Sequence, residues 1–212
     1  MVAVAHGASD PTPAVWTWTV DTVAPAAVHK RTTVRYGRLA LTWGSLTAVG
    51  AARIVVLRSM SPKKPPARDV YRGSGSGYVD PKFANGVYHR YRIVASDQAG
   101  NVFAGGRRRV APSALLLAPE DGARLRGPAT LRWRAAPKAS FYNVQLFRAG
   151  KKVLSIWPRG PHLQLTRGWR YLGHSYRLKA GVDTWYVWPG FGPLAKSRYG
   201  QLLGRGSFSI AG

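Results

Sequence analysis

The sequence predicts an all-β protein built as two tandem antiparallel β-sandwiches. Three observations carry this prediction. First, short stretches place apolar residues at every second position, as in Leu39-Ala-Leu-Thr-Trp43 and Tyr91-Arg-Ile93-Val-Ala95, which is the period of a half-buried strand. Second, 24 glycines and 15 prolines among 212 residues break the chain into such stretches, and no segment makes a convincing amphipathic helix. Third, the plan occurs twice. Leu39–Trp43 is followed by Arg53-Ile-Val-Val-Leu-Arg58, and Thr130-Leu-Arg-Trp133 by Phe141-Tyr-Asn-Val-Gln-Leu-Phe147, each first strand ending in tryptophan.

Taken from the N-terminus, Ala14-Val-Trp-Thr-Trp-Thr-Val20 alternates like a strand between two breaks, Asp10-Pro-Thr-Pro13 and Asp21–Pro25. Ala14, Trp16, Trp18 and Val20 would share one face, with nothing nearby in sequence to bury it. Asp10-Pro-Thr-Pro-Ala14, the Trp-Thr-Val strand and Asp21-Thr-Val-Ala-Pro25 resemble the close of a bacterial surface repeat, and this resemblance implies that residues 1–25 are a first segment, the terminal strand or strands of a truncated preceding repeat with its linker. Residues 26–111 hold the first sandwich, with strands at Leu39–Trp43, Arg53–Arg58 and His89–Ala95. Its longest non-strand stretch, Ser59–Gly77, is too rich in proline and glycine for a helix. The short Val110-Ala-Pro-Ser113 junction leads into the second sandwich, residues 112–212, with strands at Thr130–Trp133, Phe141–Phe147 and Asp183–Pro189.

Charge is the outlying property. The chain has 32 Lys and Arg against 8 Asp and Glu, a formal +24. Residues 26–111 carry 16 basic and 3 acidic side chains, and residues 112–212 carry the same numbers. The excess is thus shared by both sandwiches and is not a basic tail. Such a surface attracts polyanions in a salt-dependent way. Arg107, Arg108 and Arg109, with Lys63 and Lys64 in a loop, are the candidate polyanion-binding residues.

Catalysis finds little material. Cysteine is absent, which excludes disulfides, zinc–thiolate sites and a Cys nucleophile. The acids lie in turn or linker contexts such as Val79-Asp80-Pro81 and Glu120-Asp121-Gly122, where side-chain turns explain them. His6, His29, His89, His162 and His174 have no metal-ligand spacing. Arg72-Gly-Ser-Gly-Ser-Gly77 lacks the Lys-Ser/Thr and helix of a phosphate loop and reads as a flexible loop. No catalytic residue, metal or cofactor is expected. No apolar run approaches the roughly 20 residues of a membrane span, and the first ten residues lack the basic start and apolar stretch of a signal peptide.

Aromatic residues divide into two groups. Trp43, Trp133 and Trp185 fall on alternating strands and are expected in the cores. Trp157 and Trp169 are flanked by Pro, Gly or Arg; with Tyr171 they are the candidate sugar-stacking residues.

At these residues the chain resembles tandem fibronectin type III and related Ig-like modules of secreted or cell-surface bacterial proteins. Trp43 and Trp133 match the family's tryptophan at the end of the second strand. Tyr91, Ile93 and Ala95 match its Tyr-x-apolar-x-Val-x-Ala strand from the second position, and Asp97-Gln-Ala-Gly-Asn101 resembles the turn of bacterial members. Leu117–Gly122, Trp185–Gly190 and Gly204–Phe208 resemble the opening strand and the last two strands of such a module. The family's corner tyrosine falls on His89 and Asp183, so its hydroxyl-to-backbone bond is expected to be absent or replaced. The resemblance implies a non-catalytic, monomeric spacer or adhesion element, extracellular or at the cell surface. Its partner would be a cell-envelope polysaccharide or another surface protein, without membrane insertion. Two alternatives stay open: polyanion binding, with nucleic acid met only non-specifically or an anionic wall polymer, and carbohydrate binding.

Overall fold

Where apolar and polar residues alternate, one face of each strand is buried, and two sheets closed over a shared core follow in each half of the chain. A computed structural model describes residues 4–5, 8–9, 16–26, 28–196 and 198–211. Two short strands, β1 (Val4–Ala5) and β2 (Ala8–Ser9), pair antiparallel at the start.

The first sandwich runs through β3 (His29–Arg35), β4 (Arg38–Trp43), β5 (Arg53–Ser59), β6 (Arg68–Gly73), β7 (Gly77–Val79), β8 (His89–Ser96), β9 (Val102–Phe103) and β10 (Arg107–Val110). One sheet is ordered β3-β4-β7; the other is ordered β10-β8-β5-β6, with β9 paired to β8. Leu39, Leu41 and Trp43 of β4 meet Ile54 and Val56 of β5 and Tyr91, Ile93 and Ala95 of β8 between the two sheets.

The second sandwich repeats the plan with additions. It comprises β11 (Leu116–Ala118), β12 (Ala123–Leu125), β13 (Thr130–Trp133), β14 (Phe141–Arg148), β15 (Lys151–Ile156), β16 (His162–Gln164), β17 (Gly168–Tyr171), β18 (His174–Arg177), β19 (Gly181–Phe191), β20 (Arg198–Tyr199) and β21 (Gly204–Ile210). The small sheet is β11-β13-β16 and the large one β12-β21-β19-β14-β15, with β12 parallel to β21. Strands β17 and β18 form a separate hairpin. The core packs Trp133 between Tyr142 and Trp185, with ring centroids 5.3 and 6.3 Å apart. In both sandwiches the pairing register shifts once within the second β-pair of the large sheet, between Val56 and Leu57 and between Leu146 and Phe147. These irregularities re-aim the outer edge strand.

Several sequence expectations are corrected. Trp16–Val20 forms no strand, while Trp16 and Trp18 are 83% and 79% exposed, as expected of a face with nothing to bury it; Ala14 and Val15 lie outside the described residues. Alternation alone cannot hold a strand that has no partner. Ser59–Gly77 contains a strand, β6, paired to β5 at the sheet edge. The Arg72–Gly77 loop is held rather than loose: its Gly75 carbonyl accepts the indole N–H of Trp43, and its Gly75 amide donates to the Tyr71 hydroxyl.

The two sandwiches touch directly. Val34 and Tyr36, at the end of the β3–β4 hairpin, pack against the second core, and the Tyr36 hydroxyl donates to the Gln201 carbonyl at 3.3 Å. Gly86 has φ +71°, and a Cβ there would run into the Leu202 side chain. Both the backbone and the neighbour therefore demand glycine.

Candidate functional site

Each large sheet turns one face to its core and the other outward, and the outward faces differ in chemistry. On β8 and β10 the ladder sets Arg92 opposite Arg107 and Arg90 opposite Arg109. Residues directly opposite share a face, so these four arginines form a block on the outer side of the first sandwich. Among the described residues, none of the four takes part in an ion pair. Arg108 points the other way, opposite the fully buried Tyr91. The candidate run Arg107–Arg109 is therefore split between two faces. The Lys63–Lys64 loop does join the block, because the Arg90 guanidinium donates to the carbonyls of Pro62 and Lys64 at 3.1 and 3.2 Å.

Behind that face lies a buried charge. Arg58 donates to both carboxylate oxygens of Asp80 at 2.7 and 2.8 Å, and the Tyr91 hydroxyl donates to the same group at 2.7 Å. Burial pushes the Asp80 carboxyl up, but Tyr91, Arg58 and the Lys82 amide outweigh it and hold the group below the usual carboxylate range. Burial, then the charge of Asp80, pushes the Tyr78 hydroxyl up to about 12. This Asp completes an Asx turn to Lys82, as its Asp-Pro context suggests, and its ion pair is what sequence reasoning missed. The corner position is replaced as expected: a His89 ring nitrogen bonds the Ala84 carbonyl at 2.9 Å. Burial pushes its pKa down. In the second sandwich Asp183 takes a bidentate pair from Arg148, both bonds 2.8 Å.

The outer face of the second large sheet is aromatic and amide-rich. Together with the β17–β18 hairpin and the β15 end it encloses an open groove of about 580 Å³. Of the three candidate sugar-stacking residues, Trp157 and Tyr171 line it and Trp169 does not. Trp169 instead donates its indole N–H to the Val153 carbonyl at 2.6 Å and stacks on Tyr176, anchoring the hairpin. Trp188 and Tyr199 complete the walls, and Asn143, Gln145 and Ser155 also line the groove. These residues lie on strands far apart in sequence, so only the ladder register could have revealed them. Among the described residues no group of three or more His, Asp or Glu could hold a metal ion. No helix of the described residues is long and apolar enough to cross a membrane.

The sheet orders define the class: two tandem fibronectin type III-like β-sandwiches, each a three-stranded sheet facing a larger one. No protein-family model and no curated protein matches the sequence. Among solved structures the chain is similar to the FN1-FN3 domains of chicken CNTN1, at 13% identity over 88% of this chain and 67% of that one, with a TM-score of 0.29. It is also similar to the central fibronectin-III array of RIM-binding protein, at 10% identity over 88% and 70%, with a TM-score of 0.32. The fold assignment rests on the sheet topology itself.

Proposed function

We propose that the chain is a non-catalytic element of a secreted or cell-surface protein, a rigid pair of sandwiches that spaces and presents binding faces. The direct packing of Val34 and Tyr36 onto the second core, with Gly86 pressed against Leu202, supports this reading. Contacts between domains of one chain usually leave relative motion, whereas a spacer works by suppressing it. The chain has no cysteine, so nitroxides on Val102→Cys and His174→Cys report a single inter-sandwich distance. A narrow distribution that broadens in Gly86→Val is expected; an already broad one in the parent overturns the spacer reading.

The arginine block supports a second reading, polyanion binding by the first sandwich. Like charges directly opposite one another destabilise a sheet, and this face retains four of them. Single-stranded DNA or heparin should be held weakly and released by salt, with the log–log salt slope falling by about one for each arginine removed at position 107 or 109. Arg108→Ala should leave it nearly unchanged. Equal effects at 107, 108 and 109 would mean that the face plays no part.

A further inference from the structure

We propose that the groove on the second sandwich is a binding site for a polysaccharide chain of neutral sugars. It does not depend on the spacer reading, since a flexible pair could carry it and a rigid pair could lack it.

A pyranose offers an apolar face of C–H groups and an edge of hydroxyls that both donate and accept. The groove matches both. Trp157 is 42% exposed, yet its indole N–H is spent on the Tyr199 hydroxyl at 2.7 Å. Tyr199 in turn meets Phe141 edge-on. The indole is thus held in place with its ring surface available, which lowers the ordering cost of binding. Trp188 lies across the ladder from Asn143 and stacks on Tyr186, 14° from parallel. Between the aromatic walls runs a polar chain: Gln145 donates to Asn143 at 2.6 Å, and Asn143 donates to Ser155 at 3.0 Å. Asn143 is only 5% exposed, so its position is fixed. Among the described residues, the Gln145 carbonyl oxygen accepts no hydrogen bond and the Ser155 hydroxyl donates none, which leaves both for a ligand. A few placed polar groups among aromatic walls are the usual make-up of a ligand pocket.

Charge separates a sugar chain from a nucleic acid. Strand-binding grooves track the phosphates with a row of cations. Here Lys152 is the one cationic side chain among the lining residues.

A second observation comes from the hairpin tip. Tyr171 pairs with His174, leaving Leu172 and Gly173 as the two-residue turn, with φ +48° and +79°. That turn favours Asn-Gly, because both residues need positive φ. Leucine there is strained by roughly 1 kcal/mol or more, and it is 78% exposed. It places an apolar side chain at the rim of the groove, where a sugar face would cover it.

Leu172→Asn therefore separates binding from folding: it relieves the turn while removing the rim contact. The full chain would be tested at high salt for retention on cellulose and chitin, and for retardation in gels containing mannan or dextran. Retention by at least one polysaccharide is expected, weakened about tenfold or more by Trp157→Ala. Leu172→Asn should weaken it as well, with an unchanged or higher melting temperature, while Arg109→Ala has no effect. If Trp157→Ala fails to fold, Leu172→Asn and Gln145→Ala carry the test. No retention on any of these polymers, retention untouched by the groove variants, or groove-dependent binding of oligo(dT) alone would each overturn the proposal.

Discussion

The two sandwiches share a strand plan and differ wherever that plan leaves a residue free. Inward positions correspond closely: Trp43 and Trp133 close the second strand of their small sheets, and Tyr91 and Trp185 occupy the strand opposite. Outward, the same strands carry Arg90 and Arg92 in the first sandwich and Tyr186 and Trp188 in the second. The cores also solve one problem in two ways. Each pairs a fully buried aspartate with an arginine, but Asp80 comes from a loop and gathers Arg58, Tyr91 and Lys82, whereas Asp183 sits directly across the ladder from the partly exposed Arg148. Packing thus fixes half of each strand and leaves the other half to function.

The largest effects should come from the buried charges. Removing one partner leaves the other uncompensated, at a cost of roughly 3–5 kcal/mol. Asp80→Asn and Asp183→Asn should each lower hydrogen-exchange protection in their own sandwich, with Asp80→Asn the more severe because its carboxylate has more donors. Equal loss in both sandwiches from either variant would mean that they share one folding unit.

The tryptophans sharpen the comparison. The indole N–H of Trp43 has an acceptor in Gly75, whereas those of Trp133 and Trp185 have none among the described residues. Trp43→Phe should therefore cost about 1 kcal/mol more than Trp133→Phe, the value of a hydrogen bond, measured by denaturant unfolding of the two variants. The reverse order would show that packing alone sets these costs.

On the acid side, the groups held at a depressed pKa, His89, Asp80 and Asp97, all lie in the first sandwich. His89 is buried, and that burial holds its folded pKa below the usual imidazole value of 6.5, so below that pH the unfolded chain binds more protons. Stability contributed by neutral His89 is present above 6.5 and declines as pH falls toward the folded value. Asp80, also depressed, contributes stability above 3.8 that is lost as pH falls through its folded value. Unfolding measured from neutral to acid pH should show two declines, the upper one missing in His89→Gln.

Much of this was legible in sequence. Leu39, Leu41 and Trp43 announce β4 because burial on one face leaves a period of two. Strand β6 was not legible, because Arg68–Gly73 lies at a sheet edge and has no fully buried residue. Trp16–Val20 shows the opposite error, a strand pattern without a partner. Asp80 was hidden because its turn explains it locally, while its charge partner sits 22 residues away. The candidate site was half visible: Trp157 and Trp169 stood out by their flanks, with Tyr171 beside them, yet Trp169 anchors the hairpin and does not line the groove. Asn143, Gln145 and Trp188 look like ordinary outward strand residues until the register brings them side by side.

The claim that one plan carries two distinct outer faces is tested most directly by mapping ligands on the isotope-labelled chain by NMR. A heparin oligosaccharide should shift the amides around Arg90, Arg92, Arg107 and Arg109, and a retained neutral oligosaccharide those around Asn143, Gln145 and Trp188, with no overlap. Both ligands perturbing the same sandwich would contradict it.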